Sequence, residues 1–308
     1  MTDLSAWPAL VLTAGRATRL RPLSDVRAKA AMPVAGVSII ARILQWLSSF
    51  GVRRVVLNLH HRPESITSIV GDGSQFDLDV RYSWERLLLG SAGGPRHALP
   101  LMDSERFLII NGDTLTDCNL RAVADHHRGT RARATMAVVP GDVDRYGGVL
   151  IDTSGWVRGF GRSTSDTRAL HFIGVQAVEA DVFASLPDNE PAETVRGVYP
   201  GLIRARGDVI AAFESNAEFL DVGTARDYLT TVATVATRER RPLDVGRDCH
   251  IAADAHIERT VIWDRVTVGA GARLVNCVVG DGVTVADGAH YSDSVLVDLP
   301  AGTTASKL

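Results

Sequence analysis

Four apolar series recur every 17 residues toward the C-terminus, and that period constrains the fold more than any other feature of the chain. Ile251, Val268 and Val285 form one series, Ile257, Leu274 and Tyr291 a second, Ala255, Ala272 and Ala289 a third, and Val261, Val278 and Val295 a fourth. Composition alone does not keep four series in one register. Within each cycle two apolar positions lie six apart, with a small residue two places before the second, as in hexapeptide coils that stack into a parallel β-helix. Successive β-hairpins would have no reason to repeat the same phase three times. The pattern predicts about three coils after Pro242, and a division into residues 1–240 and 241–308.

Upstream the grammar differs. From Trp7 to about Leu120, short runs rich in Val, Leu and Ile (PALVLTA, RRVVLNL, DVRYSW, RFLIING) alternate with longer amphipathic ones (VSIIARILQWLSSFG, RPESITSIVG, SAGGPRHALPLM). Such runs, with helical stretches closed by Gly51 and Gly71, predict βαβ units and a mixed, mostly parallel sheet in a Rossmann-like α/β domain. Ligands of doubly wound sheets bind beyond the carboxyl ends of the strands, so the loops after Leu12 and Ile110 are the places to look. Between Met136 and Leu220 the runs TMAVVP, GGVLID, WVRGF and HFIGVQAVE predict an insertion of mixed strands.

Composition narrows the partners. A net charge of -3 over 308 residues supplies no broad cationic field, which argues against nucleic acid and for a small phosphate-bearing ligand held in a local pocket. Cys118, Cys249 and Cys277 are far apart and lack CxxC spacing, which argues against a disulfide framework or zinc site and for a reducing compartment. No apolar run approaches the roughly 18 residues of a membrane span, and the opening MTDLSAWPAL lacks a basic stretch before an apolar core. The expectation is a cytoplasmic protein with no membrane partner. The closing Ser306-Lys307-Leu308 matches a peroxisomal address and is read as coincidence.

The cations are unevenly chosen. Lysine and arginine total 33, yet lysine occurs only at Lys29 and Lys307. A chain that defaults to the rigid guanidinium fork but keeps one ammonium points to a site needing a compact, movable charge beside a phosphate. The glycine-containing loop after the first strand would aim backbone N–H groups at phosphate oxygens, with Arg16, Arg19 and Arg21 bringing charge. Followed by TRLRPLS, Lys29 and MPVAG, this ordered set resembles the pyrophosphorylase signature of the sugar-1-phosphate nucleotidyltransferases. The resemblance continues through Glu85 with Leu89-Gly90-Ser91-Ala92-Gly93, Asn111-Gly112-Asp113, Tyr146-Gly147, Gly174, Leu220-Asp221-Val222-Gly223-Thr224 and the β-helix, which in that family is left-handed. The arrangement looks most like bacterial mannose-1-phosphate guanylyltransferase-type proteins.

The resemblance implies Mg²⁺-dependent transfer of a nucleotidyl group from an NTP to a sugar 1-phosphate, giving an NDP-sugar and pyrophosphate. Catalysis of that step is positioning and neutralisation of oxygen charge. Arg19 and Lys29 would be catalytic, Arg19 on the β- and γ-phosphates and Lys29 on the α-phosphoryl oxygens. Leu12, Ala14, Gly15, Arg16, Glu85 and Gly90 would bind the nucleotide. A carboxylate only accepts hydrogen bonds, so Glu85 suits the N1–H and N2–H edge of guanine or the single N3–H of uracil or thymine, favouring GTP and leaving uridylyl or thymidylyl transfer as the alternative. Gly147, Arg162 and Gly174 would bind the sugar phosphate, and Asp113 and Asp221 would hold Mg²⁺. Blander roles exist for each: carboxylates after strands cap helices, Glu85 could be a solvated charge at a helix start, and Arg19 could serve a surface ion pair.

The chain departs from the family pattern at three places. Ala17 replaces a glycine, Ala28 replaces the proline before the lysine, and Gly161-Arg162-Ser163 replaces Glu-Lys-Pro, so the carboxylate that usually receives sugar hydroxyls is missing. If position 17 needs positive φ, its Cβ costs about 1–2 kcal/mol. These departures motivate a second reading, a regulatory subunit that binds nucleotide-sugar without turnover. A third makes the β-helix an acyltransferase module using His250, His256 or His290, although three coils form a small platform. The β-helix is better explained as a packing surface through which copies of the chain would form a homo-oligomer.

Overall fold

The computed structural model describes residues 2–241, 244–300 and 302–308. Leaving short turns unlabelled, the upstream elements run β1 (Ala9–Leu12), α1 (Ile39–Ser49), β2 (Arg54–Leu59), α2 (Pro63–Val70), β3 (Asp79–Trp84), α3 (Gly90–Met102), β4 (Arg106–Asn111), α4 (Leu120–Thr130), β5 (Ala134–Val139), β6 (Val149–Ile151), β7 (Val157–Phe160), β8 (Arg168–Glu179), α5 (Tyr199–Arg206), β9 (Ile210–Glu214) and α6 (Ala225–Arg238). The expected α/β alternation is present.

The strands form a nine-stranded sheet whose main path is β9-β5-β8-β4-β1-β2-β3, with β6 and β7 joined through β8. Only β8 runs antiparallel within that path, pairing with β4 on one side and β5 on the other. Strands covered on both faces read as continuous apolar runs, and here Ala9, Leu10 and Val11 of β1 and Phe107 to Ile110 of β4 are fully buried. On α1, Ile40, Ile43, Leu44 and Leu47 are buried while Gln45 and Ser49 are exposed, the spacing of one helical face. Gly51 follows at φ +90°, a backbone state that costs glycine nothing and other residues much. From β1 the chain moves outward to β2 and β3, then returns to the other side of β1 with β4, so the strand order reverses between β1 and β4. The predicted insertion is smaller than expected: β6, β7 and the start of β8 form an antiparallel set off the main path, whereas TMAVVP falls in β5 and most of HFIGVQAVE is β8 within the main sheet.

The chain divides into two compact units, one comprising Met1–Gly15, Ile43–His61 and Val70–Phe219, the other Arg16–Arg42, Arg62–Ile69 and Leu220–Leu308. The sequence boundary at 240/241 thus lies inside the second unit, and Pro242, where the repeat begins, lies outside the described residues. Among the described residues no helix is long and apolar enough to cross a membrane.

In the second unit three of the four 17-residue series become register partners on neighbouring parallel strands. Ile251 pairs with Val268 and Val268 with Val285, Ile257 with Leu274 and Leu274 with Tyr291, Val261 with Val278 and Val278 with Val295, all in parallel register. The result is a three-faced parallel β-helix around a core that includes Val268, Ala272, Leu274, Val279 and Val285. One corner was not foreseen. Arg259, Asn276 and Asp293, again 17 apart, take φ of 44°, 53° and 48°. Arg259 Nε donates to Asn276 Oδ1 at 2.7 Å, and Asn276 Nδ2 donates to Asp293 Oδ1 at 3.2 Å, so a polar ladder climbs the left-handed corner. The stack ends where Ser294–Leu299 pairs antiparallel with Gly302–Lys307, which places Ser306 and Lys307 in a hairpin strand.

Repeat positions are not energetically equal: among the described residues the strand of Ile251 is paired on one side only, whereas that of Leu274 is paired on both. Leu274 is 0 % exposed whereas Ile251 is 37 % exposed. Leu274→Ala should lower the unfolding free energy by about 3 kcal/mol and Ile251→Ala by less than about 1.5 kcal/mol, as read by urea titration.

Candidate functional site

Reversal of strand order beside β1 leaves a crevice at the carboxyl ends of β1 and β4, the usual ligand position in such sheets. Leu12 lies opposite Asn58 on one side and Asn111 on the other. A buried chain of hydrogen bonds ties these strand ends together: Thr13 N donates to Asn58 Oδ1 (2.6 Å), Asn58 Nδ2 to Glu85 Oε1 (2.7 Å), and Leu89 N to Glu85 Oε2 (2.8 Å). Glu85 is therefore no solvated helix-start charge; it is 5 % exposed and links the end of β3 to the head of α3. Asn58, which sequence reasoning passed over, is the centre of this chain. Its signal was a single amide in the apolar run VVLNL, since a buried polar group requires partners.

At the head of α3, Gly90 has φ +76°, and a Cβ there would sit 2.6 Å from Glu193 Oε1. The first N–H groups of α3 are already met: Ser91 N donates to Glu193 Oε2 at 3.4 Å and Ala92 N to Ala192 O at 2.9 Å. Across β1, Gly112 N donates to Leu12 O at 3.0 Å, and a Cβ on Gly112 would come within 2.5 Å of that oxygen. Asp113 follows directly, at intermediate burial. Gly174 lies where β8 shifts register between Phe172 and Gln176, and a Cβ there would meet Thr114 Oγ1 at 2.5 Å. Bulges of this kind re-aim strands next to functional sites. A pocket of about 400 Å³ opens here, lined among others by Leu12, Asn111, Phe172, Gln176, Thr194 and Arg196. Residues 194–198 on its wall form a π-helical turn, itself a frequent marker of functional sites.

Gly147 and Arg162 lie away from this burial. Gly147 is exposed, with φ +85°, and Arg162 pairs with Asp144 at 3.2 Å while its side chain stays 88 % exposed. Together with Leu12, Ala14, Gly15, Glu85, Gly90, Asp113 and Gly174 they belong to the first unit. Arg16, Arg19, Lys29 and Asp221 belong to the second.

In the signature loop, the space beside Gly15 is open: a Cβ there would meet nothing within 4 Å. Ala17 takes φ 47°, ψ 47°, so the position does need left-handed backbone, and alanine bears the ~1–2 kcal/mol cost that glycine avoids. Arg19 is exposed in the 3₁₀ turn Thr18–Leu20. Ala28 has φ -56°, within proline's range, but its N–H donates to Ser65 Oγ at 3.0 Å, a bond proline could not make. Lys29 opens the next 3₁₀ turn at intermediate burial, beside the buried Ala30 and Ala31.

Neither aspartate serves as a helix cap. Asn119 Oδ1 caps α4, and Thr224 with Asp227 forms the capping box of α6. Asp221 folds over Gly223, where a Cβ would come within 2.7 Å of Asp221 Oδ2, and Thr231 Oγ1 holds its backbone carbonyl at 2.7 Å. Carboxylate oxygens are donors of the kind a hard divalent cation takes, and Gly223 leaves room beside those of Asp221.

The family model described as Nucleotidyl transferase matches residues 8–238, and the one described as GlmU-like, C-terminal hexapeptide matches residues 241–295. Mannose-1-phosphate guanylyltransferase of Mycobacterium tuberculosis is 28 % identical over 293 residues, covering 85 % of this chain and 81 % of that protein. UTP–glucose-1-phosphate uridylyltransferase of Synechocystis is 26 % identical over 279 residues, covering 84 % and 71 %. The crystal structure of HddC from Yersinia pseudotuberculosis complexed with GMP-PN shares the fold, with a TM-score of 0.64 at 22 % identity over 74 % of this chain and 99 % of that one. With the first model spanning most of the chain and its relatives acting on sugar 1-phosphates, the chain belongs to the sugar-1-phosphate nucleotidyltransferases of the nucleotidyl transferase family.

Proposed function

We propose that this chain is an Mg²⁺-dependent transferase that moves a nucleotidyl group, by preference guanylyl, from an NTP to a sugar 1-phosphate of the mannose 1-phosphate type. Lys29 carries the reading: an arginine-using chain keeps an ammonium there, in a turn whose next two residues are buried. Support for guanylyl transfer comes from the mycobacterial relative and from the acceptor-only chemistry of Glu85, whose oxygens each keep a lone pair after their bonds to Asn58 and Leu89. The Synechocystis relative supports uridylyl transfer as the alternative.

In the step itself an oxygen of the sugar phosphate attacks the α-phosphorus; one P–O bond forms, the bond to the β-phosphate oxygen breaks, and pyrophosphate leaves with the electron pair. Arg19 draws charge from the β- and γ-phosphates, and Lys29 follows the charge that grows on the α-phosphoryl oxygens. Ala14, Gly15 and Arg16 would take the triphosphate, while Leu12, Glu85 and Gly90 would position the nucleoside. Gly147, Gly174 and Arg162 meet the acceptor phosphate. Asp113 and Asp221 are the residues that would hold Mg²⁺, which would supply neutralisation of phosphate charge.

Pyrophosphate release measured with GTP, UTP, TTP and ATP against a panel of sugar 1-phosphates should show the highest kcat/KM for GTP with mannose 1-phosphate. Higher values with UTP transfer the assignment to the alternative, and calorimetric NDP-sugar binding with no turnover in any pair replaces it with the regulatory reading motivated by Ala17, Ala28 and Gly161. Lys29→Ala should lower kcat by roughly 10²–10³-fold with circular dichroism unchanged, and Lys29→Arg should still lose about tenfold, because a fork does not replace a point charge. Chelation by EDTA should abolish turnover and Mg²⁺ restore it, with Asp113→Asn and Asp221→Asn each raising the Mg²⁺ concentration for half-maximal rate by about tenfold or more.

A further inference from the structure

Two residues before Lys29, the side chain of Arg27 leaves its loop and ends on the β-helix, within the same compact unit. Its Nε donates to Asp281 Oδ2 at 2.6 Å, while Nη2 donates to Asp281 Oδ1 at 2.6 Å and to Asp264 Oδ2 at 2.8 Å. The guanidinium also lies 5.2 Å from the ring centroid of Trp263, which is fully buried. Arg27 is 17 % exposed and the two aspartates 14 % each, so this is a largely desolvated network. Asp264 and Asp281 stand one coil apart, 17 residues, with Asp264 N donating to Asp281 Oδ1 at 3.0 Å. Two carboxylates stacked this closely repel unless a cation lies between them, and a bidentate guanidinium has the geometry for it. Burial pushes the Asp264 carboxyl up, but the Arg247 N–H and Arg27 outweigh it and hold it below its ordinary value.

A second tie reaches the other side of Lys29. Trp263 Nε1 donates to Tyr228 Oη at 3.0 Å, and Tyr228 Oη donates to the backbone carbonyl of Pro33. The stretch from 27 to 33 is thus anchored at one end on Asp264, Asp281 and Trp263 and at the other through Tyr228, which Trp263 also holds. Between the anchors, Ala28 N is held by Ser65, and Ala30, Ala31 and Met32 are buried. The loop lacks the proline before Lys29, and these external contacts add to the turn's own bonds from Ala31 N to Ala28 O and from Met32 N to Lys29 O.

We infer that Arg27, Asp264, Asp281 and Trp263 are positioning residues for Lys29, which makes this corner of the β-helix a working part of nucleotidyl transfer in addition to a packing surface. The inference rests on the catalytic role proposed for Lys29. Holding a charge against a moving centre matters more in the transition state than in substrate binding, so loss of the clamp should fall on kcat and leave KM little changed. A displacement of about 1 Å at a catalytic group costs up to roughly 10²-fold.

The test uses full-length Asp281→Asn, Asp264→Asn, Arg27→Gln and Arg27→Lys. Arg247→Gln is the control, since Arg247 touches the same Asp264 at 3.5 Å from a side chain that is 87 % exposed. Steady-state kinetics should show kcat down by about 10- to 100-fold in Asp281→Asn and Arg27→Gln, with nucleotide KM within about threefold, Arg27→Lys intermediate and Arg247→Gln unchanged. Hydrogen–deuterium exchange of residues 27–33 should rise in the same order while peptides covering β1 to β4 keep their protection. Folded variants whose exchange over 27–33 matches the parent, or whose kcat stays within twofold, overturn the inference. A parent with no turnover on any substrate pair overturns the functional reading instead, and the exchange measurement then decides the clamp by itself.

Discussion

Ala9–Leu12 is hydrogen-bonded to a parallel strand on each side, and the first unit is organised around that double pairing. Because β2 and β4 flank β1 while the chain order passes from β1 through β2 and β3 before reaching β4, the connections after β1 and β4 diverge at neighbouring strand ends. The glycines there follow from that geometry. Gly112 brings its backbone against Leu12 O, and Gly174 lets β8 bulge against Asn111 and Thr114. A side chain at either would push apart the strands that create the crevice.

Strand pairing brings these ends close; buried polar groups fix their spacing. Thr13, Asn58 and Glu85 come from the ends of three adjacent strands and are 6 %, 3 % and 5 % exposed. Each bond between them is worth little net, yet an unmet partner at this depth costs about 1–3 kcal/mol, so the three hold one another in a single arrangement. Glu85 thereby ties two elements with one carboxylate, holding Asn58 of β2 through one oxygen and the head of α3 through the other.

The second unit repeats the same principle with charge. Stacking in a 17-residue register places Asp264 directly beside Asp281, and the unfavourable pair is relieved by Arg27 from the segment that carries Lys29. A structural repeat thereby acquires a polar contact specific to one loop. Ala17 shows the converse, a strained left-handed residue kept at the turn where the family has glycine. Departures at Ala17 and Ala28 are thus met differently: the first as tolerated strain, the second by a hydrogen bond from the alanine N–H to Ser65.

Much was legible in the residues alone. The period of 17 specified the β-helix and its register, because side chains in stacked coils must repeat in phase to share one core. The alternation of apolar runs and amphipathic segments specified the α/β sheet, since strand and helix periodicities differ. The order of Arg19, Lys29, Glu85, Asp113 and Asp221 specified the family. What the sequence did not carry was every contact that depends on which strand lies beside which: the Thr13–Asn58–Glu85 chain, the bulge at Gly174, and the grouping of residues 16–42 with the β-helix. Arg27 and Asp281 are 254 residues apart. No local preference links such positions; only the folded chain brings one guanidinium between two aspartates and leaves Lys29 two residues away.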